Sequence, residues 1–331
     1  PEILYLRDVF AAISIAVLLL RPLFVHRRVD LPLALALSAL ALHGLWGLVL
    51  GLPAFQVGFG AKIFMYLIYG LAMWPIVQSR WRGLLKVAGL IFVVSLLGVG
   101  ANYVPGMCPW EGIKSDTSSG AVTTTRTWWQ GSTARLPGFA RNSISAAILL
   151  GVTGMLTMVW LRQPWLRLVS AGLGLMAIIA TTSKGMVLAF PLAAAWLMVG
   201  RGTRHARIGA AMVLALCSLG LLLPIVMVFF GVGGGLRAKD WPILILSVWQ
   251  RFSDVWPAAF ELLPDGLAAL AGTGLGSIGT PQSFGLRPHL ANPGDSLAIF
   301  MLVNFGVAGA LYYLAPACMV RSTSGRVPDS V

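Results

Sequence analysis

The sequence predicts an all-α protein, a polytopic bundle of transmembrane helices, on three observations. Hydrophobic residues make up 57% of the 331 and charged residues only 11%, against about 25% charged in an ordinary soluble domain, and mean hydropathy is +0.83. The apolar residues fall in long runs, as a hydrocarbon slab about 30 Å thick requires of a helix rising 1.5 Å per residue. The ~10-residue alternating segments of a membrane barrel are absent, which leaves helices as the spans able to satisfy their own backbone polar groups in lipid.

Nine apolar runs mark spans, in order 5–24, 31–52, 61–79, 83–105, 143–162, 166–182, 186–200, 208–232 and 296–319. The first is broken only by Arg7, Asp8 and Arg21 near its ends. The second carries no charge, and its mid-span His43 is expected to be a hydrogen-bonded core residue. The run 186–200 is shorter but equally apolar, and Pro191 and Pro224 interrupt the seventh and eighth runs. No Asp or Glu lies clearly mid-span.

Basic residues cluster in every second connection: Arg21, Arg27 and Arg28; Arg80, Arg82 and Lys86; Arg162 and Arg167; Arg201, Arg204 and Arg207; Arg321 and Arg326. By the positive-inside rule these connections are cytoplasmic, and 53–60, 106–142, 182–185 and 233–295 face outward. This alternation accounts for much of the formal net charge of +13, so nucleic-acid binding is not expected. An odd span count with a cytoplasmic C-terminus puts Pro1 outside, so at least one further helix is expected before it, consistent with the missing Met; no cleavable signal pattern is evident. Residues 1–331 read as a single transmembrane domain. Cys108, Cys217 and Cys318 are widely spaced, with no CxxC and no His at metal-ligand spacing, and Cys217 and Cys318 read as intramembrane filler.

Two extracytoplasmic loops are long enough to be functional, since structureless connections beyond about 15 residues are uncommon. The loop 106–142 carries Trp110, Trp128 and Trp129 among Ser, Thr and Gly, which suits either an aromatic belt or stacking on sugars. The loop 233–295 contains an amphipathic stretch, 241–263, with Arg251, Asp254 and Glu261, suited to the membrane surface. The outer side also bears Arg126, Arg135, Arg141, Lys184, Arg237, Lys239, Arg251 and Arg287. Arg141, Lys184 and Arg251 stand apart because each abuts a span or sits in the amphipathic element, a depth at which charge points to function. Guanidinium groups suit phosphate oxygens, and a lipid pyrophosphate sits at headgroup depth, where span-terminal cations meet it.

Asp295 precedes the last run, after Asn292-Pro293-Gly294. It is either an acid complementing a helix N-terminus or a group that orients or deprotonates an acceptor hydroxyl. His289 is the other candidate base. Gly272-Thr273-Gly274-Leu275-Gly276 superficially resembles a nucleotide loop, but no βαβ context surrounds it. No HExxH, GxSxG or P-loop pattern is present.

The order of the outer motifs resembles the O-antigen polymerase and O-antigen ligase superfamily of bacterial surface-polysaccharide enzymes. Four pieces carry the resemblance, across residues 137–313. Pro137-Gly138-Phe139-Ala140-Arg141-Asn142 enters a span, and Thr182-Ser183-Lys184-Gly185 is similar to the family's Ser-Arg-Gly turn, with Lys for Arg. Arg251, Trp256 and then Gly272 to Gly276 resemble its Arg-to-GtGlG stretch. Asp295-Ser296 with Asn304-Phe305-Gly306-Val307-Ala308-Gly309 stands where the family has a His-Asn or Asp-Asn pair and a Gly-containing helix.

The resemblance implies a GT-C-like helical bundle in a bacterial inner membrane. It implies a metal-independent glycosyltransferase without cofactor, using undecaprenyl-pyrophosphate-linked glycan at the periplasmic face, with a flippase and a chain-length regulator as further partners. Arg141, Lys184 and Arg251, with Arg135 and Arg287, would hold the pyrophosphate. Asp295 or His289 would handle the acceptor hydroxyl, and Trp128 and Trp129 would stack on sugar rings. Asp295-Ser296 in place of His-Asn leans toward a polymerase of lipid-linked repeat units over a ligase to lipid A core. A transporter or flippase of an anionic lipid or solute is the alternative of another class.

Overall fold

The computed structural model of the chain describes residues 13–14, 16–17, 31–104, 106–108, 114–117, 120–123, 128–130, 133–140, 142–199, 203–231, 249–285 and 292–323. These residues form helices and two small hairpins. In order they are α1 (Leu31–Val49), α2 (Ala54–Ser79), α3 (Trp81–Ala101), β1 (Lys114–Thr117), β2 (Gly120–Thr123), β3 (Trp128–Gln130), β4 (Thr133–Arg135), α4 (Ser143–Trp160), α5 (Pro164–Ala180), α6 (Lys184–Val199) and α7 (Thr203–Phe229). A π-helical turn Arg251–Val255 leads into α8 (Trp256–Phe260), and after two 3₁₀ turns come α9 (Leu297–Phe305) and α10 (Val307–Thr323). Strands β1 and β2 pair antiparallel, as do β3 and β4, where Trp128 stands opposite Arg135.

Among the described residues five helices are long and apolar enough to cross a membrane: Leu31–Val49, Ala54–Trp74, Trp81–Ala101, Ser143–Trp160 and Arg204–Phe229. They answer five of the nine runs. Runs 166–182 and 186–200 become shorter apolar helices, Pro164–Ala180 and Lys184–Val199, and most of run 5–24 lies outside the described residues. The run 296–319 is not one helix but two. At Gly306 the backbone turns to φ 59, and a Cβ there would overlap the carbonyl oxygen of Leu270; the helix breaks to let another segment pass. Outward faces carry Leu188, Leu192 and Leu216 exposed, an apolar surface of the kind that lipid covers.

The chain divides into two compact units, one within Trp74–Arg201 and the other within Phe10–Met73 and Gly202–Val331, the division falling inside α2. In the first, α3 packs on α4 and α5, and α6 on α4 and α5, around Phe92, Leu150, Ile178 and Phe190. In lipid the drive for helix association is close packing through small residues: a Cβ at Gly174 would come within 2.8 Å of the Phe190 ring, and one at Gly154 within 3.3 Å.

In the second unit α10 packs on α7 and α9, and α8 on α9, around Phe64, Trp256, Ile278, Ile299 and Phe305. Its centre is the loop Gly272–Gly276, wedged against α1, α2 and the α9–α10 break. Gly274 has φ 90, and a Cβ there would overlap the Gly47 backbone; at Gly276 one would come within 2.5 Å of the Gln56 carbonyl oxygen. Only glycine allows both the left-handed φ and the approach. Asn304, fully buried, accepts from Gly276 N at 2.8 Å and donates to Phe300 O at 2.7 Å. A polar side chain in this setting is tolerated because its hydrogen bonds are made.

Candidate functional site

In the second unit the π-turn, α8 and the segment 292–296 meet. A residue five places along an α-helix is rotated by about 140° at 3.6 residues per turn. The wider turn, closed by Trp256 N donating to Arg251 O, swings Trp256 back over Arg251. Both side chains therefore reach Asp295. Arg251 Nε pairs with Asp295 Oδ2, and Trp256 Nε1 donates to Oδ1 at 3.2 Å. The Trp256 ring is buried and packs edge-on against Phe252, centroids 4.9 Å apart. The Arg251 side chain keeps 41% of its surface accessible and Asp295 25%, so the pair is open to a ligand.

The approach to Asp295 is fixed by Asn292. Its backbone N–H donates to Gln282 Oε1 at 2.7 Å and its carbonyl accepts from Gly279 N at 3.0 Å. Its side chain donates to Val255 O at 2.7 Å and accepts from Gly294 N at 3.0 Å. Downstream, α9 begins with Ser296 at its N-cap, whose side chain makes no capping hydrogen bond. Asp295 thus directs its carboxylate at Arg251 and Trp256.

The glycine loop itself offers no phosphate cradle. Its N–H groups are already engaged: Thr273 with Val303 O, Gly274 with Asn304 O, Leu275 with His43 O, and Gly276 with Asn304 Oδ1. Its carbonyls are held as well, Gly272 O by Trp46 Nε1 and Gly276 O by Gln56 Nε2, each at 2.9 Å. The motif is a packing joint that sets the height of the segments around it.

The first unit brings together two of the sequence motifs. Arg135, at the end of β4, donates from Nε to Thr182 Oγ1 at 2.6 Å and from Nη2 to Thr182 O at 3.3 Å. Thr182 has φ 56, a strained conformation for a β-branched residue, and the turn it makes delivers half-buried Lys184 to the start of α6. Nearby, Gly138 N donates to Asn102 Oδ1 at 2.6 Å, and Asn142 caps α4 by accepting from Ser145 N at 2.8 Å. Beside this motif lies an apolar groove of about 250 Å³ lined by Leu90, Val94, Pro137, Phe139, Ala140 and Leu149.

Of the residues expected at the site, Arg251 and Asp295 meet in the second unit, and Arg135 meets the Thr182–Lys184 turn in the first. Trp128 and Trp129 lie on β3. Arg141, Arg287 and His289 lie outside the described residues. In the sequence Asn292 stands out only as one of the residues before Asp295, and Trp256 only as part of a motif without a partner. Among the described residues no group of three or more His, Cys, Asp or Glu is placed to hold a metal ion. Comparison with family models, characterised proteins and solved structures gives no match.

Proposed function

We propose that this chain is a membrane glycosyltransferase that lengthens lipid-linked repeat units on the periplasmic face of a bacterial inner membrane. The donor is an undecaprenyl-pyrophosphate-linked glycan and the acceptor another lipid-linked unit. The observation that carries this reading is Arg251, a guanidinium with 41% of its side chain accessible, paired with Asp295, whose other oxygen accepts from Trp256. A guanidinium fixed in this way is suited to the charge that develops on a leaving pyrophosphate.

Asp295 orients Arg251, as its hydrogen bonds support, and takes or steers the acceptor proton with His289 as the other candidate. In the first unit Arg135 holds the turn that presents Lys184, itself a candidate cation, and the groove beside Pro137–Ala140 is apolar. Arg141 and Arg287 are further pyrophosphate candidates, and Trp128 and Trp129 are candidates for stacking on sugar rings. The ligase reading shares this donor chemistry and differs in the acceptor. For the transporter reading, the break between α9 and α10 is the pertinent feature, since discontinuous helices line transporter sites; here the gap is filled by Leu270 and Gly272.

The test is chemical. Purified chain incubated with lipid-linked repeat units, with and without a chelator, is expected to yield a ladder of longer lipid-linked glycans in both. Absence of any ladder, with uptake of the lipid donor across vesicles instead, would replace this reading by transport.

A further inference from the structure

We propose that Asn292 is a positioning residue that sets Arg251 against Asp295, acting through the π-turn. The inference rests on the assignment of Arg251 to the leaving group. One buried amide plays a double role. The Nδ2 donates to Val255 O, the last carbonyl of the turn that begins at Arg251, while Oδ1 accepts from Gly294 N, immediately before Asp295. The two ends of the ion pair arrive from segments 44 residues apart, and Asn292 joins those segments directly.

The residue type follows from the contacts. A planar amide supplies one donor and one acceptor on the same short stem. Aspartate there would turn an acceptor toward the Val255 carbonyl and add a negative charge two peptide units from Gly294. Glutamine would carry the amide one methylene further. Pro293 keeps Asn292 out of the helical region, so the side chain is presented from an extended backbone. With the Asn292 backbone already tied to Gln282 and Gly279, releasing its side chain frees the π-turn to drift while the rest of the loop stays anchored.

The experiment compares Asn292→Asp and Asn292→Gln with wild type, Arg251→Ala and the double variants, in full-length purified chain that elutes as a single species. Two readouts are taken. The first is the rate of phenylglyoxal modification of Arg251, followed by peptide mass spectrometry, which reports the guanidinium's surroundings whatever the reaction catalysed. It should rise in both Asn292 variants. The second is glycan lengthening, which should fall about 10- to 100-fold in Asn292→Asp, the span expected for loss of one contact in a coupled network, and should fall no further than Arg251→Ala in the double variant. A structural role alone would lower folded yield and add to the Arg251→Ala loss. Unchanged labelling of Arg251, an additive double variant, or loss of folded protein in both single variants would each overturn the proposal. Faster labelling with wild-type lengthening by Arg251→Ala would keep the positioning role and remove the pyrophosphate assignment, so the two failures are distinguishable.

Discussion

Gln56 donates from Nε2 to the carbonyl of Gly276 at 2.9 Å, across 220 residues of sequence. This bond fastens the start of α2 to the glycine loop, and with Trp46 donating to Gly272 O it explains why the loop takes glycine at alternate positions: helix backbone lies where side chains would be.

Gly274→Ala should therefore be destabilising by roughly 2–5 kcal/mol, from the positive φ and from overlap with Gly47. Gly58→Ala, on the same helical hairpin but with nothing within 4 Å of a new Cβ, should be neutral or gain about 0.5–1 kcal/mol. Thermal stability of the two variants in detergent checks the contrast; equal effects would remove close packing as the reason for the motif.

Arg135→Ala should release the Thr182 turn, because the guanidinium holds a residue whose backbone strain costs about 1–3 kcal/mol. Thr182→Gly on that background should recover part of the loss, since glycine adopts φ 56 without a clamp. If Thr182→Gly gives no recovery in a melting experiment, Arg135 stabilises something other than this turn.

Arg251→Lys keeps the charge but loses the fork, and Arg251→Ala loses both. Lys should retain more of the lengthening activity than Ala, whose loss should be a measurable one of about 10- to 150-fold, the charge-assisted bond being worth about 1.5–3 kcal/mol. Asp295→Asn separates two roles. As a base, its loss spares donor binding; as the partner of Arg251, its loss weakens donor binding too. Binding of lipid donor to purified variants, set beside polymer length on a gel, decides between them.

Sidedness is tested by single cysteines in a background without Cys108, Cys217 and Cys318. Met107→Cys and Thr280→Cys should be modified by an impermeant reagent in intact cells, and Arg82→Cys and Arg204→Cys only after permeabilisation. Modification of Arg204→Cys from outside would invert the orientation and with it the periplasmic site.

The helices were legible because apolar runs and basic connections are local signals. The break at Gly306 was not, since 296–319 is continuously apolar and glycine is ordinary in transmembrane helices; its cause is Leu270, brought there by the tertiary fold. The π-turn leaves no periodic trace in five residues. Arg251 and Asp295 were legible as charges at depth, but their pairing required the loop between them to close. Arg135 was legible as an added cation, but its hydrogen bonds to Thr182, which clamp the backbone turn, depend on contacts 47 residues apart. Asn292 was hidden because an Asn-Pro-Gly sequence has a sufficient local explanation.

The glycine loop has a consequence for biosynthesis. Among the described residues the first unit draws on Trp74–Arg201, whereas the second draws on stretches before and after it, within Phe10–Met73 and Gly202–Val331. Gln56 and Trp46 emerge from the ribosome more than 200 residues before the carbonyls they bind, and Asn304 follows later still. The early hairpin can make these two bonds only after residues 272–276 are synthesised, and chain truncated before residue 272 should be degraded faster than chain that includes the loop and Asn304.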